Sequence, residues 1–125
     1  MAEYIPYNAP LQEIVDALLS YEDLQLRILV QEWQWANPVV TSVPRPQTRD
    51  ARSLTVAAAL VELFALRAGQ VPPAWTAEAP PLPEPFFVMP LAERPGFTRT
   101  LCLTEAPEPL RRRNIFAPPN YLHMV

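Results

Sequence analysis

The chain has 125 residues, of which 50% are hydrophobic and 18% charged, with a net charge of −3. That length fits one domain, and the apolar content is enough for a core without disulfide or metal staples. The acidic balance argues against a free-standing nucleic-acid binder of the usual basic kind, and the single cysteine, Cys102, excludes an internal disulfide framework and a cysteine-based zinc cluster.

All ten basic residues are arginine; with the abundance of Ala, Leu and Pro this points to a GC-rich coding sequence. The N-terminal stretch MAEYIPYNAP has no positive region followed by an apolar one, so no export signal is read there and the cytoplasm is the expected compartment. Pro6 and Asn8 make residues 1–9 irregular.

Leu11, Ile14, Val15, Leu18 and Leu19 recur at the spacing of one helix face and predict the first helix. Ser20 then reads as a new N-cap, with Asp23 in the place of a capping-box acid. Leu24, Ile28, Leu29, Trp33 and Trp35 carry the second helix, which Asn37-Pro38 stops. Residues 37–49 hold three prolines and predict a loop. The third helix runs from about Asp50, its cap, to Ala68. Leu54, Ala57, Ala58, Val61, Phe64 and Ala65 line one face, and Leu60, Leu63 and Leu66 widen it until the helix should be nearly surrounded. Gly69 suits the left-handed position after the helix, and Pro72-Pro73 prevent its continuation. The apolar stretch from Leu54 to Leu66 is broken by Thr55 and Glu62 and is shorter than the ~20 residues of a membrane span, so no membrane association is expected.

From residue 70 to about 95 the chain is proline-rich, yet Trp75, Leu82, Phe86, Phe87, Val88 and Met89 make it too apolar for a disordered linker. An extended belt lying across the helices is predicted, with Trp75 as its anchor and a minor strand around residues 86–89. Short helices follow over about 96–125: one from Phe97 to Glu105 with Phe97, Leu101 and Cys102 on one face, one from Glu108 to Asn114 with Pro109 in its first turn, and a last turn through Tyr121, Leu122 and Met124. The fold class is mainly α: one domain over 1–125, with a helical core over about 10–69.

Few residues suit catalysis. Gly69 and Gly96 are the only glycines, which leaves no phosphate-cradling loop. His123 is the only histidine, which excludes a two-histidine metal site and argues against a triad. Glu22-Asp23 sit where acids complement a helix dipole, and Glu105 and Glu108 stand beside arginines that salt-bridge them most simply. Cys102, between Leu101 and Leu103, reads as a small buried hydrophobe. No catalytic residue, metal or cofactor is expected.

Arg111-Arg112-Arg113 has two readings. Guanidinium forks recognise phosphate or an acidic partner; equally, positions about 100° apart on a helix diverge, so that some of the three bridge to Glu105 or Glu108 and others face water. Trp33 and Trp35 cannot both enter one core, and their end of the helix is a candidate interface hot spot.

The final segment PEPLRRRNIFAPPNYLHMV resembles a C-terminal pattern of high-GC bacterial regulator and antitoxin-like proteins encoded beside nucleotidyltransferase-like partners, and VPPAWTAEAPPLPEPFFV is similar to the run that precedes it there. The resemblance spans about residues 53–125, and Arg111, Arg112, Arg113, Asn114 and Phe116 are its motif positions. It implies a chain that masks a partner enzyme, with a nucleotidyltransferase-like toxin as the candidate. Residues 1–50 depart from the fused members of the family, because they contain no helix-turn-helix. The expected function is therefore a non-catalytic protein-binding module, antitoxin-like or regulatory, with Trp33, Trp35, Trp75, Arg111, Arg112, Arg113 and Phe116 as partner-binding candidates. The alternatives are a nucleic-acid-associated regulator and a self-associating accessory protein such as a homodimer.

Overall fold

A computed structural model of the chain describes residues 10–123. Residues 1–9 and Met124, for which the sequence predicts an irregular start and part of a last turn, lie outside them. The helices are α1 (Leu11–Leu19), α2 (Asp23–Ala36), α3 (Ala51–Arg67), α4 (Phe97–Glu105) and α5 (Glu108–Arg111); β1 (Phe86–Phe87) and β2 (Ile115–Phe116) are minimal strands. Short 3-10 turns occupy Val40–Ser42, Ala74–Glu78 and Pro90–Glu93. The mainly helical class is as the sequence predicts.

α3 is the axis of the fold. Every residue from Thr55 to Ala65 is buried, and α1, α5 and the 3-10 turns at Val40–Ser42 and Ala74–Glu78 all pack against it. Its N-terminus is capped by the Asp50 side chain, which accepts from the Arg52 N–H at 3.3 Å and from the Ser53 hydroxyl at 2.8 Å. Asp50 is held below the ordinary carboxylate pKa, chiefly by the Ser53 hydrogen bond. At the other end Gly69 takes φ +68°, and the Gln70 and Gly69 N–H groups turn back onto the Ala65 and Leu66 carbonyls at 2.8 and 3.1 Å. Leu66 departs from expectation, since it points to solvent.

α1 ends in the same way, but without a glycine. Ser20 is the C-cap, Tyr21 takes φ +58°, and the Glu22 and Tyr21 N–H groups reach the Ala17 and Leu18 carbonyls at 3.0 and 3.3 Å. Ser20 therefore closes α1 rather than opening α2, whose N-cap is Glu22. A bulky residue in the left-handed region costs about 1 kcal/mol, and tertiary contacts hold this one: the Tyr21 ring stacks on Phe86 at 5.8 Å and its hydroxyl donates to Glu93 at 3.1 Å.

The belt crosses α3 as an extended strap. Pro80, Pro81, Pro83 and Pro85 have no N–H to satisfy. Three of the remaining donors, at Leu82, Phe86 and Val88, bond to the carbonyls of Arg113, Asn114 and Phe116 at 3.0, 2.9 and 3.1 Å. The last two bonds belong to the parallel pairing of β1 with β2, Phe86 opposite Ile115 and Phe87 opposite Phe116, and the Leu82 bond extends the contact ahead of it. From α3, the Thr55 hydroxyl donates to the Pro80 carbonyl at 2.7 Å. Trp75 anchors the belt as expected: half-buried, it donates its indole N–H to the Val43 carbonyl at 2.8 Å.

α4 matches its predicted span, and Cys102 is fully buried in a small cluster with Phe87 and Ala92. Burial raises its thiol pKa. Phe97, expected on the same face, is 81% exposed, because α4 packs on the Pro90–Glu93 turn and the first residue of the helix projects beyond it. α5 is a single turn, and Pro118 to Leu122 form turns rather than a helix. The Arg67 guanidinium pins those turns by donating to the Tyr121 carbonyl at 2.6 Å. Among the described residues no helix is long and apolar enough to cross a membrane.

Candidate interaction surface

The three arginines diverge as helix geometry requires. Arg111 is exposed and pairs with Glu108 at 2.8 Å, its other nitrogen donating to the Thr104 carbonyl. Arg112 is half-exposed and reaches Glu62. Arg113 is buried: its two terminal nitrogens grip both Glu62 oxygens at 2.6 and 2.9 Å and also donate to the Pro109 and Thr76 carbonyls. Its Nε alone lacks a partner among the described residues. Burial is the largest influence on Glu62 and raises its pKa. The hydrogen bond and charge of Arg113, with Thr76 and Arg112, outweigh burial and leave Glu62 below the ordinary value. The motif thus ties α5 and the belt to α3.

Trp33 lies on the inner face of α2, 3% exposed, with its ring 5.5 Å from that of Phe64. Trp33 and Arg113 are interior groups, so neither can meet a partner without unfolding the core around it. Phe116 is half-buried against Phe87, with ring centroids 5.5 Å apart, and Trp75 is held in the belt. The seven candidates do not converge on one surface. Of them, Trp35 is the large apolar group that the fold leaves open, at 70% exposure.

Trp35 has neighbours on its own helix that the sequence places on the wrong side. Leu24 is 74% exposed and Ile28 44%, and Gln31 between them and Trp35 is exposed as well. At about 100° per residue, Leu24, Ile28, Gln31 and Trp35 fall within about 60° of arc over some 16 Å of helix. The buried residues Leu26, Leu29, Val30 and Trp33 are centred about 180° away. α2 is therefore apolar on two opposite faces, and the core uses one of them. Two interleaved stripes in fourteen residues are the signal that could have separated these faces; summing all the apolar positions merges them. Beside Trp35 an open depression of about 470 Å³ is lined by Gln31, Gln34, Phe64 and Arg67.

A cleft of about 380 Å³ lies between the α1–α2 junction and the C-terminal turns, with Tyr21, Glu22, Asp23, Arg27, Tyr121 and His123 on its walls. Its two carboxylates are chain neighbours, and Asp23 is engaged by Arg27 at 3.1 Å. Burial drives the Tyr121 hydroxyl pKa well above its usual value, so that group stays protonated. Among the described residues no three His, Cys, Asp or Glu side chains gather as metal ligands.

No family model matches the chain, and neither curated proteins nor solved structures yield a match.

Proposed function

We propose that this protein is a non-catalytic protein-binding module whose contact surface is the outer face of α2. The observation that carries the reading is the exposed stripe Leu24, Ile28 and Trp35, opposite a complete buried stripe on the same helix. A helix whose inner face already holds the core has no folding reason for a second apolar seam, and a tryptophan at its end is the residue type that anchors interfaces. Arg111, Arg112 and Arg113 are engaged with Glu108 and Glu62, so the run on which the nucleic-acid alternative rests is committed to the fold.

The finer reading follows the C-terminal resemblance: an antitoxin-like chain that covers and silences an enzyme, with a nucleotidyltransferase-like toxin as the partner. In that reading the arginine motif maintains the fold that presents α2. The test is affinity capture of the tagged chain from its own host, followed by assay of any stoichiometric partner. An enzyme that is inactive in the complex and active once released supports it. A copurifying enzyme with undiminished activity, or capture unaffected by Trp35→Ala, overturns it.

A further inference from the structure

The outer stripe of α2 has a more specific pattern than exposed apolarity. Leu24, Ile28, Gln31 and Trp35 are spaced four, three and four residues apart, which is the a/d seam of a two-stranded coiled coil with Leu24 and Gln31 at d and Ile28 and Trp35 at a. We propose that this seam pairs, parallel and in register, with the same seam of a second copy of the chain. The inference rests on the reading of α2 as a binding face and gives that face to a second copy, which an enzyme bound there would have to displace.

Charge selects the orientation. In a parallel pair the g position of one helix faces the e position five residues further along the other. Here g is Arg27 and that e is Glu32, so the two-fold axis generates two opposite-charge pairs. The Glu32 carboxylate makes no ion pair or hydrogen bond among the described residues. Arg27 is bound to Asp23, an exposed pairing within one helix of the kind worth little and readily shared. An antiparallel pair would instead set Arg27 against Gln34 and Glu32 against Gln25, with no charge matched.

The polar seam residue agrees. In the parallel register Gln31 meets Gln31 of the second copy, where two side-chain amides satisfy one another. In the antiparallel register Gln31 would lie against Ile28 and leave its amide unpaired in an apolar layer. Ile28 at a with Leu24 at d is the combination that favours two strands in a parallel pair. The domain already holds α2 helical, so pairing does not carry the ordering cost that makes isolated short helices marginal. A seam of about two heptads is still smaller than the ~800 Å² per partner of a standard interface, so the dimer should be reversible and dependent on concentration.

The experiment is sedimentation velocity on the full chain from about 1 µM to 1 mM, with charge-reversal variants. The wild type is expected to pass from monomer to dimer across that range. Arg27→Glu alone sets Glu against Glu32, and Glu32→Arg alone sets Arg against Arg27. Each should weaken self-pairing by about tenfold. An equimolar mixture of the two variants should recover a heterodimer, because every cross pair is again opposite in charge. Gln31→Cys should form an intermolecular disulfide under mild oxidation, with the fully buried Cys102 out of reach.

A chain that stays monomeric at 1 mM overturns the proposal. So does a dimer indifferent to both reversals or not recovered by mixing them. If the chain is monomeric while Trp35→Ala abolishes binding to a different protein, self-pairing fails and the protein-binding reading survives. If the chain is monomeric and no binding depends on Trp35, both fail.

Discussion

Arg113 and Glu62, fifty-one residues apart in sequence, meet in the interior through two parallel hydrogen bonds of 2.6 and 2.9 Å. The pair ties α5 to the central helix, and the Arg113 contact with the Thr76 carbonyl adds the belt to the same junction. Such a pair is costly to break from one side, because the surviving charge remains buried without its partner.

Glu62→Leu and Arg113→Met should therefore each destabilise the fold by about 3–5 kcal/mol, while the double variant combining the two should be much closer to wild type than the sum of the single changes. Urea unfolding of the four proteins completes the cycle. Additive losses would show that the two side chains do not act as a unit.

The same pair sets a response to acid. The folded pKa of Glu62 lies below its ordinary value of 4.5. The group binds a proton more readily in the unfolded chain, so its contribution is fully present above about pH 4.5 and is lost as pH falls through the folded pKa. The stability gap between wild type and Glu62→Gln should accordingly narrow on acidification from pH 6. A gap that widens would contradict the sign of the shift.

At Tyr21, backbone strain and side-chain packing oppose each other. Tyr21→Gly relieves a left-handed φ worth about 1 kcal/mol but loses the Phe86 stack and the Glu93 hydrogen bond. Tyr21→Ala loses those contacts and keeps the strain. The glycine variant should be more stable than the alanine variant by about 1 kcal/mol, measured by thermal or urea unfolding.

These sites mark where the sequence was legible and where it was not. The central helix could be read from end to end, because Asp50, the all-round apolar pattern and Gly69 are local signals that agree with the packing. The spans of α1 and α4 are set by periodicity in the same way. The end of α1 could not be read: a tyrosine takes the position that usually calls for glycine, and what holds it there is Phe86, a residue sixty-five positions later. The arginine run announced itself as charge, but the partner of Arg113 sits inside an apolar helix, where Glu62 looks only like an interruption. Trp35 stood out by residue type. The seam it completes with Leu24 and Ile28 did not, because two opposite stripes on one helix blur into a single broad apolar signal.

The inner and outer tryptophans of α2 should separate stability from binding. Trp33→Ala empties a core site against Phe64 and should cost about 3–5 kcal/mol. Trp35→Ala removes an exposed ring and should change stability by no more than about 0.5 kcal/mol.

The most direct test of the outer face as the binding surface combines Leu24→Ser, Ile28→Ser and Trp35→Ser in one variant, with unfolding and complex formation measured on the same preparation. The account predicts wild-type folding together with loss of association, whether the associating protein is a second copy or another chain. A triple variant that folds normally and still associates as wild type does would contradict it.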